Sequence, residues 1–268
     1  DVVADFITFV PAQAERNLRL FSGKTGQYIF ISTASAYQKP QIAEGITEST
    51  PLANPYWEYS RNKAAIEALL LEENRKSGFP ATIVRPSHTY GNKSLPVALH
   101  GDKGSYQVLE RMLLGKPVIV PGDGTSWWTL THNTDFAKAF VGLMGNAHSI
   151  GQAYHITSDE QLTWDMIHDI IGKIIGKEPK LVHVSAEMLA KIRPDWLGPL
   201  VGDKCASVRF DNSKIKKAVP GFAATLRFDQ GARLAIDYIL SHPECQVKDP
   251  AFDVLSEKVI EKALNFAI

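Results

Sequence analysis

Apolar and polar positions follow two periods along this chain, and the first half switches between them at regular intervals. Gln27-Tyr28-Ile29-Phe30-Ile31-Ser32 is a short apolar run closed by polar residues, and Ala81-Thr82-Ile83-Val84 is another. Runs of this kind predict strands buried on both faces. Asp1 to Ile7 has the same character. Residues 12–21 and 59–76 instead place apolar side chains at helical spacing, with Ala64, Ala65, Ala68 and Leu69 as the expected packing stripe of the second. Strand and helix in alternation predict an α/β chain built on a doubly wound parallel sheet.

The pattern changes after Gly91. Residues 92–105 are polar and contain glycine, which predicts a loop. Helices are expected at 106–114, 133–144, 163–175, 228–241 and 253–266, with Trp164, Ile167, Ile170 and Ile171 facing inward on the third. Short strands are expected near 118–121, 151–156 and 180–184. This assigns 1–120 to the sheet domain. Residues 121–268 form mainly a smaller α+β lobe, with about 130–160 returning to the sheet.

Composition narrows the class. The 268 residues are 44% hydrophobic and 22% charged, an ordinary globular balance. Lys+Arg and Asp+Glu are both 29, so no global field gathers nucleic acid or an anionic membrane. Two cysteines make no disulfide framework and suggest free thiols in a reducing, cytoplasmic setting. No CxxC or His/Cys cluster points to a metal, and no run of 18 apolar residues points to a membrane span.

The candidate chemistry begins with Tyr59-Ser60-Arg61-Asn62-Lys63. Residues four apart share one face of a helix. A phenol ordinarily ionises near pH 10, and a nearby ammonium favours its phenolate. A tyrosine so tuned can exchange a proton with a substrate hydroxyl. Ser32-Thr33-Ala34-Ser35 ends the second strand, where open α/β sheets place their ligands. Capping of the strand-to-helix turn is the plainer role for Ser32 and Ser35.

With these go Arg85-Pro86-Ser87-His88-Thr89-Tyr90-Gly91, Pro121-Gly122-Asp123-Gly124, residues 131–137, Gly151-Gln152-Ala153-Tyr154-His155-Ile156 and Phe210-Asp211-Asn212-Ser213-Lys214. In this order and spacing the chain resembles an extended short-chain dehydrogenase/reductase of the NAD-dependent epimerase/dehydratase type. The resemblance runs through nearly all of it. It implies a Rossmann-like, dinucleotide-binding first domain and a substrate-binding lobe. It implies NAD or NADP as cofactor and a small, sugar-like substrate altered at a C–O carbon by an oxidoreductase or isomerase. Tyr59 would be the general acid/base, Lys63 its partner and a holder of the nicotinamide ribose, and Thr33 the catalytic hydroxyl. Pro86, Ser87 and His88 would lie against the nicotinamide. Ser35, His88, Trp127 and Arg209 would face the substrate. The resemblance also suggests a homodimer formed through the helix bearing Tyr59. His132 and Asp135 are read as a structural turn, and His155, His168 and His183 as surface or core histidines.

Three departures qualify the resemblance. The family's glycine-rich unit is not found, and Gly122-Asp123-Gly124 opens no helix, so about 60 residues, two βαβ units, are expected before Asp1 in a longer protein. Trp127-Trp128 stands where sugar-nucleotide enzymes usually carry an arginine for the diphosphate, and His88 where they usually carry asparagine. Both weaken a nucleotide-sugar substrate. The alternative is a non-catalytic nucleotide- or RNA-binding protein on the same fold, since residues 122–137 are also similar to chloroplast stem-loop RNA-binding relatives.

Overall fold

The computed structural model describes residues 1–41 and 45–265. Its contacts divide the chain into two compact units. The first comprises 1–87, 134–159 and 208–224, and the second 88–133, 160–207 and 225–268. The chain crosses over after Ser87, not near residue 120, so 88–120 join the second unit and 208–224 the first. The second unit is therefore about as large as the first, where a smaller lobe was expected.

The first unit is a four-stranded parallel sheet in the order β1 (Val2–Asp5), β2 (Gln27–Ile31), β3 (Ala81–Pro86) and β8 (Ala153–Ile156). Alternation along the central strands separates two cores. Tyr28, Phe30 and Ile83 pack with Ala14, Ile66 and Leu70 of helices α1 (Pro11–Phe21) and α2 (Glu58–Ser77). Ile29, Val84 and Ile156 pack with Phe136, Phe140 and Ile215 of α4 (Asn133–Leu143) and α8 (Ser213–Ala218). Each fully buried isoleucine, leucine or phenylalanine among them contributes about 1.5–3 kcal/mol. Helices on both faces of a parallel sheet make this the predicted doubly wound, Rossmann-like arrangement. α2 stops at Gly78, whose φ of 76° closes the helix in the left-handed region.

One expectation about α2 fails. Ala65 and Ala68 are exposed, while the face against the sheet carries Ser60, Lys63, Ile66, Glu67 and Leu70. Three of those five are polar, so apolar periodicity could not locate the face.

The second unit holds three two-stranded pieces. β4 (His88–Tyr90) pairs in parallel with β7 (Leu130–His132), β5 (Val118–Pro121) in parallel with β10 (Leu181–Val184), and β6 (Trp127–Trp128) antiparallel with β9 (Leu162–Thr163). The helices are α3 (Tyr106–Leu113), α5 (Trp164–Ile175), α6 (Ala186–Ile192), the single turn α7 (Leu197–Pro199), α9 (Phe228–Ser241) and α10 (Pro250–Asn265). Trp164, Ile167 and Ile171 are fully buried on α5, and Ile170 is half-buried. Gly122 and Gly124 turn the chain from β5 into β6, not into a helix. Gly124 is required: a Cβ there would fall 2.0 Å from the Asp165 carboxylate. Among the described residues no helix is long and apolar enough to cross a membrane.

Candidate active site

In the first unit the site assembles where β2 ends. The Ser32 N–H continues the ladder to the Val84 carbonyl at 2.7 Å. Thr33 is extended, and its Oγ1 accepts from the Ser35 N–H at 3.1 Å, capping the single 3-10 turn Ala34–Ala36. Thr33, not Ser35, is thus the capping residue. The Ser35 hydroxyl is buried, 3.0 Å from Thr33 Oγ1 and 2.8 Å from Ser60 Oγ on the first turn of α2. Ser32 turns away to donate to the Glu67 carboxylate.

Tyr59 is half-buried, its ring 4.9 Å from that of Trp57 and 6.4 Å from that of Phe9. One turn on, Lys63 is 1% exposed. Its Nζ donates to the carbonyls of Thr8 and Ile31, each at 2.7 Å. It lies 4.7 Å from the ring centres of Phe9 and Phe30, and 5.8 Å from that of Tyr59. Burial pushes the lysine pKa down to about 8, against the pull of Asp5 and Glu67. Two of the three ammonium N–H groups are therefore committed to main chain.

Sequence reasoning missed the groups that hold Lys63. Asp5 Oδ1 accepts from the N–H groups of Ile7 and Thr8 at 3.0 and 3.1 Å, fixing the turn that presents the Thr8 carbonyl. Asn17 Nδ2 donates to Asp5 Oδ2 at 3.1 Å, and Tyr28 donates to the same oxygen. Burial opposes ionisation of Asp5, but hydrogen bonds from Thr8, Tyr28, Ile7 and Asn17 hold its pKa below the usual value. The Asp5-x-x-Thr8 spacing was the available signal, that of an Asx turn.

Behind α2 lies a second polar layer. Arg85 makes a bidentate pair with Glu67, Nε to Oε1 at 3.0 Å and Nη2 to Oε2 at 2.6 Å, both side chains almost wholly buried. Arg85 Nη1 donates to the Tyr37 hydroxyl at 3.1 Å, which lies 3.1 Å from His155 Nδ1. His155 Nε2 donates to the Asp211 carbonyl at 2.7 Å, so His155 is a satisfied core histidine. Pro86 and Ser87 are half-buried at the end of β3. Arg209 is exposed and belongs to this first unit. Its carbonyl accepts from the Ile46 N–H at 2.6 Å.

In the second unit the two tryptophans part. Trp128 is buried, 5.2 Å from the Trp164 ring, and its Nε1 donates to His88 Nδ1 at 3.2 Å. That bond leaves the His88 proton on Nε2. Trp127 is 40% exposed, and its main-chain N–H donates to Ser207 Oγ at 3.1 Å. His88 keeps some accessible surface, and its ring lies 6.3 and 6.5 Å from those of Trp128 and Trp164. Burial, with Lys204 and His100 nearby, pushes its pKa down to about 3. His132 and Asp135 are both buried, His183 pairs with Asp165 at 2.8 Å, and His168 is fully buried. Among the described residues no group of three or more His, Cys, Asp or Glu could hold a metal.

The chain is 29% identical over 161 residues, 60% of its length, to the chloroplast stem-loop binding protein of 41 kDa b of Arabidopsis thaliana. It is 26% identical over 228 residues, 83% of its length, to a trifunctional UDP-glucose 4,6-dehydratase/UDP-4-keto-6-deoxy-D-glucose 3,5-epimerase/UDP-4-keto-L-rhamnose-reductase of the same plant. The chain spans 39% and 31% of those two proteins. In fold it is similar to the dTDP-glucose 4,6-dehydratase of Bacillus anthracis solved with NAD. The TM-score is 0.73 at 20% identity, over 91% of this chain and 74% of that one. Residues 13–157, more than half of the chain, match the model of one family, and the chain belongs to it: the NAD dependent epimerase/dehydratase family.

Proposed function

We propose that this chain belongs to an NAD(P)-dependent oxidoreductase, epimerase or dehydratase that acts on a C–O carbon of a small, sugar-like substrate. The observation that carries the reading is that Tyr59 and Lys63 stand one turn apart on α2, the helix whose Ser60 meets the Ser35 hydroxyl, itself 3.0 Å from Thr33 Oγ1. Tyr59 would give or take the substrate hydroxyl proton, and Thr33 would orient that hydroxyl. The donor set here is phenol, hydroxyl and ammonium, which suits ribose and sugar hydroxyls. Lys63, Pro86 and Ser87 would hold the nicotinamide end, and NAD or NADP when bound supplies the hydride acceptor or donor. Among the described residues no glycine-rich turn opens a helix behind a strand, so no holder is assigned to the pyrophosphate.

Ser35, buried between Thr33 and Ser60, would set the position of Thr33 rather than touch substrate. The reading extends to a homodimer through α2, where Ala65 and Ala68 lie exposed, and to a cytoplasmic setting, in keeping with two free cysteines. Sedimentation equilibrium and fractionation check these two points.

The test is Tyr59→Phe. Turnover of ketose or nucleotide-sugar candidates, followed by nicotinamide absorbance, should fall by about 10²–10⁴-fold, with dinucleotide affinity nearly unchanged. Full activity in that variant would sink the mechanism. A second reading, RNA binding, is favoured by the stem-loop binding relative. It requires salt-dependent binding of single-stranded or stem-loop RNA with no dinucleotide binding.

A further inference from the structure

We propose that a small cavity in the second unit, next to His88, takes the carboxylate of a small organic acid, with Lys204 and His100 as its recognition groups. This rests on the reading of that unit as the substrate-binding part. The cavity is about 260 Å³ and is lined by Leu99, His100, Trp196, Pro199, Leu200 and Lys204 among others. That is small beside ordinary ligand pockets and too small for a nucleoside diphosphate. Its apolar walls suit a short carbon skeleton, and its basic side chains suit an acidic group.

Lys204 Nζ is held by main-chain oxygens, donating to the Ala98 carbonyl at 2.9 Å and the Val97 carbonyl at 3.3 Å, and lies 5.7 Å from the Trp164 ring centre. An ammonium has a third N–H to offer. His100 Nδ1 donates to the Gly101 carbonyl at 2.7 Å, so its exposed ring meets a carboxylate through Nε2 only once that nitrogen is protonated. Arg193 also lines the cavity, but its guanidinium is closed on Asp102 at 2.5 Å, so it offers no open fork to a diphosphate.

Burial and the Lys204 charge depress the two histidines near it. Burial pushes Lys204 down to about 8, with Asp203 and Cys205 opposing. Burial and Lys204 push His100 below its usual value, against Gly101, Asp102 and Asp249. Burial, Lys204 and His100 do the same to His88. Asp195 is the other acid on the cavity lining. Arg193 is paired with Asp102, so a bound carboxylate adds negative charge for Lys204 in competition with Asp195 and Asp203. Binding should therefore take up a proton above pH 8, and affinity should rise as pH falls from 8.5 to 6.5.

The probe is propionate, titrated into the full chain by calorimetry in two buffers and by tryptophan fluorescence, with inorganic phosphate and uridine diphosphate alongside. Saturable propionate binding, tighter at pH 6.5 and accompanied by proton uptake at pH 8.5, is expected. Lys204→Met should weaken it about tenfold or more, the loss of one charge-assisted bond, and Lys204→Arg should restore most of it. His100→Gln provides a second variant if Lys204→Met fails to fold, and it too should weaken binding. Absence of saturable binding, affinity indifferent to pH and to these substitutions, or tighter binding of uridine diphosphate at the same residues would overturn the assignment. The readout is binding alone, so failure here leaves the Tyr59 mechanism standing, and failure of that mechanism leaves this site standing.

Discussion

At the scale of single residues, Lys63 is held tightly in the first unit. Its ammonium is buried yet bonded only to carbonyls and faced by rings. The folded chain surrenders that proton near pH 8, whereas an unfolded lysine keeps it to 10.5. Between those values the unfolded state binds more protons, so this group's contribution to stability rises with pH across the window. Urea unfolding at pH 7.5 and 9.5 should show the wild type gaining on Lys63→Met over that interval. Glu67 is the counterpart case. Glu67→Ala would leave Arg85 buried without its carboxylate, a loss of about 3–5 kcal/mol. A lowered urea midpoint checks this. The motif residues Thr33, Tyr59 and Lys63 were legible from their order along the chain. Asn17, Glu67 and Arg85 were not, because their partners lie 12 and 18 residues away in sequence and touch only after the sheet has formed. Nor could adjacent tryptophans reveal which one points inward.

At the scale of elements, each strand and helix that was expected lay within a few residues of its place, because buried strands and amphipathic helices write their period plainly, whereas the short β4, β6, β7, β9, α6, α7 and α8 were not expected. α2 is the exception in orientation: a helix that buries serine, lysine and glutamate carries a periodicity that misdirects. Close contact between elements was equally hidden. Gly231 on α9 lies against Tyr90 of β4, and a Cβ there would fall 2.1 Å from the phenol oxygen. Gly231→Ala should cost about 1–3 kcal/mol by overpacking, measured as a lowered Tm. α10 is fastened differently. Asp253 and Glu257 on α10 meet the buried Arg111 of α3 at 2.5 and 2.9 Å. The double substitution Asp253→Asn with Glu257→Gln should loosen α10, seen as faster hydrogen exchange across residues 250–265.

At the scale of the whole molecule, formal charge is zero and the isoelectric point is about 7.2. Phe6, Ile7, Phe9 and Val10 are exposed in sequence beside the edge strand β1. Low net charge with an apolar surface favours association. Light scattering should peak near pH 7 and fall toward pH 9. The crossover after Ser87 escaped the sequence because both units use similar strand and helix signals, and only contacts between distant segments assign 134–159 and 208–224 to the first unit.

The grip of Arg85 on Glu67, with Ser32 on the same carboxylate, acts as an indexing pin for α2. A helix turned by one residue swings its side chains by about 100°, which would carry Tyr59 and Lys63 off their mark together. With the pin engaged, that phase is fixed before any ligand arrives. The surface of α2 can then drift in sequence at little risk to the phenol's aim, whereas a change three strands deep at Arg85 would mis-set it without touching it.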